Sequence, residues 1–245
     1  MKVKHVGCCG YPTSKQKYFE HFRLIELQIT FYSLPGPETA FKWKDEAPDD
    51  FIFTMKAWQG ITHPGHMPTY RRSRMKEFDR QKLGLFRNND QVFKAWQLTR
   101  QIAEIIEAKI IVFQCPPIFK QSDESIENLR HFFTNIDRGT FILALELRSN
   151  WEPSLVKDLC SELNLVHCVD PFKENSVTGG LYYFRLHGKP PGQKMYRYQY
   201  TDRDLQWLND YSEKLKDANE IYYLFNNQTS FEDALRFKQL LAENR

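Results

Sequence analysis

Short apolar runs recur along this chain with polar side chains set into them at every second position. In Leu24-Ile25-Glu26-Leu27-Gln28-Ile29, Glu26 and Gln28 share one phase while Ile25, Leu27 and Ile29 share the other. Phe141–Arg148 repeats the arrangement, with Glu146 and Arg148 opposite Leu145 and Leu147. Leu181–His187 does so again, with Arg185 and His187 opposite Phe184 and Leu186. Alternate side chains of a strand face opposite ways, so each run predicts a strand with one apolar and one charged face. Strands are expected at Val3–Gly7, Leu24–Gln28, Phe51–Lys56, Ile110–Gln114, Phe141–Leu147, Leu165–Val169, Leu181–Leu186 and Ile221–Phe225.

Helical stretches separate them. Ser122 precedes a helix over Asp123–Phe133, and Pro153 falls in the first turn of the next, where a missing N–H costs little. Thr201 with Asp204, and Ser230 with Asp233, have capping-box spacing. Val92, Trp96, Ala103 and Ile106 lie on one helical stripe within Val92–Ala108. Eight strands alternating with helices in 245 residues predict a single α/β domain over residues 1–245, a (β/α)8 TIM-type barrel. A doubly wound open sheet competes, but it leaves the charged inner phase unexplained. Three connections look irregular: Ala57 to about Asn89, Pro171–Gly180 and Gly188–Tyr200. All three follow strands, so they belong to the C-terminal face of the barrel, where active sites form.

Composition narrows the classes. The balance of 34 Lys+Arg against 31 Asp+Glu gives a net charge of only +3, so any nucleic-acid footprint must be local. No apolar run reaches the ~18 residues of a membrane span, and Met1-Lys2-Val3-Lys4-His5 leads straight into a strand without a leader pattern. A soluble cytoplasmic protein is expected. The five cysteines, Cys8, Cys9, Cys115, Cys160 and Cys168, contain no CxxC pair and read as buried apolar groups. A redox or metal role for Cys8, Cys115 and Cys168 at strand ends is the alternative.

Polar groups collect at the carboxyl ends of seven of the eight predicted strands: Glu26 and Gln28, Lys56, Gln114, Glu146 and Arg148, Asp170, Arg185 and His187, and Asn226 with Asn227. Isolated ions in an apolar interior are prohibitive, so these must pair with each other, with a ligand or with water. Pairing with each other would make a self-satisfied plug. Together with a ligand they supply acid, base and anion clamp. His187 is the natural proton-transfer group near neutral pH, with Glu146 and Glu26 as its carboxylate counterparts. Lys56, Arg148 and Arg185 are three cations for one anion, and Gln28, Asn226 and Tyr198 complete the substrate-binding set.

Glu26, Glu146, Asp170 and His187 could in principle ligate a metal, but no compact ligand spacing supports that, and no metal is assigned. The sequence names no cofactor, and GxGxxG and P-loop patterns are absent. His63-Pro64-Gly65-His66 with Arg71, Arg72, Arg74 and Lys76, interleaved by Tyr70, forms a basic patch. Tyr196, Tyr198 and Tyr200 with Lys194 and Arg197 form a second. The first could hold phosphate backbones over the barrel mouth, and alternation puts the three tyrosines of the second on one side, suitable for stacking a base or a sugar.

Seven blocks resemble, in order, those of the YecE-like family, domain of unknown function 72. They are Gly7–Tyr11, Glu26–Pro35, Phe51–Lys56, Phe113–Pro117, Ala144–Arg148 with Trp151, Arg185–Gly188 and Phe225–Asn227. The resemblance implies a TIM-type barrel similar to the sugar-isomerase and endonuclease IV group, and it implies no established reaction. The family pattern has a Thr-Ser-Gly-Trp type sequence where this chain has Cys8-Cys9-Gly10-Tyr11, and Asn where it has Gln28. The expected function is an enzyme of hydrolase or isomerase type on an anionic or phosphorylated small substrate. A nucleic-acid-binding protein or nuclease is the second reading, and a non-catalytic binding module the third.

Overall fold

A computed structural model describes residues 2–188 and 195–243. Eight parallel strands follow one another around a closed barrel in sequence order. They are β1 (Val3–Cys9), β2 (Leu24–Leu27), β3 (Ile52–Lys56), β4 (Ile110–Gln114), β5 (Ile142–Glu146), β6 (Val166–Val169), β7 (Leu181–Leu186) and β8 (Glu220–Phe225). The helices are α1 (Lys15–His21), α2 (Ile29–Tyr32), α3 (Pro37–Asp45), α4 (Gln59–Thr62), α5 (Asp90–Ile105), α6 (Asp123–Asn135), α7 (Pro153–Glu162), α8 (Asp202–Lys214) and α9 (Ser230–Glu243). The chain packs as two compact units, Met1–Glu26 with Cys168–Arg245, and Leu27–His167.

Local chemistry sets the element ends. Ile110-Ile111-Val112-Phe113-Gln114 is buried throughout, as a strand covered on both faces must be. Ser122 Oγ accepts from the backbone N–H of Ser125 at the start of α6, and Asp123 and Glu124 follow in the first turn. Both bonds of the predicted Thr201–Asp204 capping box are present at α8. Helices α5 and α7 end in Schellman motifs with Glu107 (φ 51°) and Asn164 (φ 48°) in the left-handed region. The N–H of Ala108 reaches Ala103 O at 2.8 Å, and that of Leu165 reaches Cys160 O at 2.8 Å. Each motif turns the chain directly into the next strand. In β1, Gly7 is required by close packing: a Cβ there would stand 2.2 Å from the carbonyl oxygen of Leu24.

The structure corrects several local readings. The chain leaves β2 after Leu27, so Gln28 and Ile29 start a helical turn instead of extending the strand, and Ile29 is 47% exposed. Ser230 lies inside α9, and its partner in the proposed capping box, Asp233, is fully buried. Asp233 Oδ2 accepts from Tyr200 N, Asn227 Nδ2 and Thr229 Oγ1, and Oδ1 accepts from Arg236 Nη1. Asp233 therefore ties the segment before α8 to the start of α9. Tyr70 is buried, with its hydroxyl donating to His63 O at 2.7 Å, so it belongs to the core and not to the surface of the basic patch. Within the second patch, Lys194 lies outside the described residues. Of its three tyrosines, Tyr200 is buried and its hydroxyl oxygen accepts from Gly188 N at 2.7 Å. Tyr198 donates to Asp204 at 2.7 Å, and Tyr196 is 37% exposed. They do not form one stacking face. Pro171–Gly180, one of the three irregular connections, joins β6 to β7 without a helix.

Candidate functional site

The polar side chains of each unit form their own arrangement. In the unit of Met1–Glu26 with Cys168–Arg245, β2 and β7 present Glu26 and Arg185, which hold each other. Arg185 Nε lies 3.2 and 3.0 Å from the two carboxylate oxygens of Glu26, and Arg185 Nη2 lies 3.0 Å from Oε1. The Tyr183 hydroxyl donates to Oε2 at 3.0 Å. Side-chain exposure is 1% for Arg185 and 0% for Glu26, so the pair is sealed from solvent. Two residues that the sequence assigns to catalysis and anion holding are thus engaged in neutralising each other.

Just beyond β6, Asp170 accepts from the backbone N–H groups of Phe172 and His187, each at 3.1 Å. Its Oδ2 stands 3.4 Å from His187 Nδ1 and 3.7 Å from Lys173 Nζ. Asp170 is 5% exposed, so a buried carboxylate stands just beyond β6 in addition to Glu26 on β2. The Tyr196 ring meets the His187 ring edge-on at 5.7 Å. Cys8 and Cys9, adjacent on β1, face opposite ways as strand geometry requires. Cys8 Sγ lies 3.4 Å from Ser230 O, whereas Cys9 Sγ lies 3.9 Å from Arg185 Nη2. Burial pushes the Cys8 thiol up to about 12, and burial followed by the Glu26 charge pushes Cys9 well up. Neither is a ready thiolate.

The Leu27–His167 unit is built differently. Lys56, the last residue of β3, donates to Gln114 Oε1 at 2.8 Å and sits 3.7 Å above the centre of the Phe31 ring. Arg148, two residues past the end of β5, donates from Nε to Glu146 Oε1 at 3.1 Å. Side-chain exposure is 26% for Arg148 and 7% for Glu146, so the guanidinium is within reach of solvent while its carboxylate is not.

His63 joins this cluster. It is 4% exposed, its ring meets Phe31 edge-on at 4.8 Å, and its Nδ1 lies 2.8 Å from Thr62 Oγ1. Burial, then the charges of Lys56 and Arg148, pull its pKa down to about 3, against an opposing pull from Glu146. His63 is neutral at physiological pH. Burial likewise takes His167 down to about 4, with Glu146 opposing. Cys115 is pushed well up by burial and then by Glu146.

His63 owes its position to an unusual loop. Leu85 (φ 56°) and Phe86 (φ 53°) are left-handed, and their N–H groups bond Thr62 O at 3.1 Å and Ile61 O at 2.9 Å. Gly84 (φ +89°) lies between them and α4, where a Cβ would stand 2.3 Å from the carbonyl carbon of His63. Sequence reading placed His63 only in a surface basic patch. The signal available was the glycine at position 84 after a polar stretch, which shows only that some tight turn exists.

The remaining expected residues lie at the start of α2 and just beyond β8. Gln28 is half-buried at the start of α2, and Asn226 is half-buried with its N–H on Leu186 O at 2.8 Å. Asn227 is buried and donates to Asp233 and to Tyr198 O. Among the described residues no group of three His, Cys, Asp or Glu side chains is arranged to hold a metal ion, and no helix is long and apolar enough to cross a membrane.

Residues 11–245 match the family model described as "Protein of unknown function DUF72". The chain belongs to the DUF72 family. It is 25% identical over 257 residues to the UPF0759 protein YunF of Bacillus subtilis, covering 92% of this chain and 84% of that protein. Among solved structures, a DUF72 family protein from Enterococcus faecalis V583 superposes with a TM-score of 0.76 at 22% identity, over 99% of this chain and 98% of that one. Two more distant folds match nearly end to end. A xylose isomerase domain containing protein from Salmonella typhimurium gives a TM-score of 0.60 at 12% identity, covering 99% and 98% of the chains. Endonuclease IV from Thermus thermophilus gives 0.52 at 8%, covering 99% and 100%. At these identities the superpositions establish the barrel and nothing of the reaction. The fold and family expected from the blocks around Glu26, Glu146 and Arg185 are those found.

Proposed function

We propose that this DUF72 chain is a single-domain cytoplasmic enzyme, of hydrolase or isomerase type, acting on an anionic or phosphorylated small substrate. The observation that supports it is the Lys56–Arg148–Glu146 cluster at the ends of β3 and β5, which sets two cations against one carboxylate. Arg148 is the reachable member, and a guanidinium presents paired donors suited to phosphate or carboxylate oxygens. In this reading Glu146 moves a proton beside the anion, and His187, whose backbone N–H donates to Asp170, is the proton-transfer group of the other unit. Ligand binding to the folded state alone raises its stability. Phosphate titrated at constant ionic strength should therefore raise the melting temperature, and Arg148→Ala should abolish the rise. Lys216→Ala, an exposed control, should leave it intact. Equal responses in the two variants would show that the cations serve only internal pairs.

A second reading, a nucleic-acid-binding protein or nuclease, draws on the exposed run Arg71, Arg72, Arg74, Lys76 and Arg80. Arg72 is partly committed, since its guanidinium lies 3.7 Å above the Tyr32 ring. Binding to single- or double-stranded DNA that falls steeply with salt, and weakens in an Arg71→Ala/Arg74→Ala variant, would favour it over the small-substrate reading.

A further inference from the structure

We infer that His63 is a substrate-contacting residue of the Lys56–Arg148–Glu146 site, presenting a neutral Nε2–H to an oxygen atom of the bound anion. This rests on the reading of that cluster as an anion site and adds to it a residue and a protonation state.

Three observations converge. The first is geometry. His63 packs edge-on against Phe31, whose ring also carries the Lys56 ammonium at 3.7 Å, so the imidazole and the ammonium share one aromatic support. The second is hydrogen bonding. Nδ1 is taken by Thr62 Oγ1 at 2.8 Å, while Nε2 makes no hydrogen bond among the described residues and keeps a small opening to solvent, His63 as a whole being 4% exposed. An imidazole has two nitrogens to satisfy, and here one of them is left to water or a ligand. One nitrogen fixed from behind and the other left for a ligand is the pattern of an oriented histidine. The third is electrostatics. The charges that act on the ring are Lys56 from β3, Glu146 from β5 and Arg148 two residues beyond it. The two cations outweigh the one carboxylate, so a second proton on the ring is disfavoured.

Tautomer and substrate class follow. An anion drawn in by Lys56 and Arg148 offers acceptor oxygens only, so Nε2 must carry the proton, and the Thr62 hydroxyl must donate to Nδ1. A neutral imidazole can donate to an oxygen that gains negative charge during a reaction without adding a third cation to the resting site. The substrate chemistry this suits is an oxyanion group, phosphate or carboxylate, next to a carbonyl or ester oxygen. Thr62 is then a positioning residue, acting through His63.

Sulfate is the probe for the test, because its charge is constant between pH 5 and 8. In the unaltered protein, sulfate affinity measured by calorimetry should be flat across that range, since a neutral His63 adds no titration. His63→Phe, which keeps the aromatic packing on Phe31, should weaken sulfate about tenfold, the loss expected for one hydrogen bond to a charged group. His63→Gln, which can return an N–H near the Nε2 position, should recover most of the affinity. Thr62→Val should weaken binding while Thr62→Ser restores it. With 15N-labelled histidine, the His63 signals should report the Nε2–H tautomer and shift on adding sulfate. Sulfate binding unchanged in His63→Phe but lost in Arg148→Ala would overturn the role of His63 and leave the anion site standing. Binding unchanged in both variants would overturn the anion site itself. Affinity rising below pH 6.5 only when His63 is present would overturn the neutral state.

Discussion

Two arginine–glutamate pairs sit in matching strand patterns and have opposite characters. Arg185 and Glu26 come from β7 and β2, are sealed from solvent and exchange several contacts, with a tyrosine hydroxyl completing the set. Arg148 and Glu146 are two residues apart at and just past the end of β5, with Arg148 Nε 3.1 Å from Glu146 Oε1, and Arg148 keeps 26% of its side chain exposed. The same charges therefore do different work. A sealed pair recovers its desolvation cost only by staying intact, so it specifies how the strands assemble. A pair at the solvent edge can exchange its partner for a ligand at little cost. Of the two arrangements that competed as readings of the sequence, the self-neutralised pair describes Arg185 with Glu26, and Arg148 with Glu146 has the solvent access that the proposed binding reading requires.

Breaking one member of each pair should expose the difference most strongly. Arg185→Ala leaves the buried Glu26 without its arginine and should cost about 3–5 kcal/mol, read as a large drop in the urea midpoint. Arg148→Ala also leaves a buried carboxylate, but one that water can reach through the space the guanidinium vacates, and should cost less, about 1–2 kcal/mol. Replacing both Glu26 and Arg185 by Leu and Met should return much of the lost stability, because the desolvation penalty goes with the charges. If Arg185→Ala and Arg148→Ala destabilise equally, burial is not what separates the pairs.

The loop that holds His63 is the next target. Gly84→Ala demands a Cβ 2.3 Å from the His63 carbonyl carbon at a φ of +89°, so backbone must move. The expected loss is about 2–3 kcal/mol, the range for a strained or overpacked position. Anion affinity should fall with it, which Arg185→Ala would not cause if the sealed pair is structural only. Unchanged stability and affinity in Gly84→Ala would break the link between this turn and the cluster.

Acid should weaken the Leu27–His167 unit through its two buried histidines. His63 and His167 titrate near 3 and 4 when folded, against about 6.5 when unfolded. The unfolded chain therefore binds protons first, so their contribution to stability is fully present above pH 6.5. It declines as pH falls from 6.5 toward 4 and 3. By pH 5 each should have cost about 1–2 kcal/mol. In His63→Phe the slope of stability against pH between 6 and 4.5 should shrink by about half. A slope unaltered in that variant would mean that His63 titrates normally.

These contrasts were legible in the sequence only in part. Period-2 placement of Glu26, Glu146 and Arg185 shows which side chains a strand turns inward, and alternating strands and helices with clear caps at Ser122, Pro153 and Thr201 fix the barrel. Which charge finds which partner is a long-range property: Glu26 and Arg185 are 159 residues apart, and no local pattern links them. Burial of Tyr70 and His63 was hidden for the same reason, since a polar, glycine-containing stretch reads as solvated until the packing above β3 is known. The strand after Leu27 was misjudged because Ile29 fits both a strand phase and a helical turn, and only the exposed result decides. Ser230 and Asp233 have capping spacing, yet Tyr200, Asn227 and Arg236 reach Asp233 from elsewhere and outcompete that local bond.

The smallest predicted effect concerns Tyr198, which sequence reading placed among the substrate-binding residues. Its hydroxyl donates to Asp204 Oδ2 at 2.7 Å, and the same oxygen accepts from Thr201 N and Thr201 Oγ1 in the capping box of α8. That bond pushes the Tyr198 hydroxyl up to about 12, with burial second among the causes. The phenol thus braces a helix start, a task in which water can partly replace it because the group is near the surface. Tyr198→Phe should cost about 0.5–1 kcal/mol of stability, in the range of a single cap interaction. Asp204→Asn should cost a similar amount, and the two losses combined should fall short of their sum because both act on one oxygen. Phosphate should raise the melting temperature of Tyr198→Phe by the same increment as in the unaltered protein. A lost phosphate response with stability intact would return Tyr198 to the binding set and place an anion contact in the unit that otherwise holds the sealed pair.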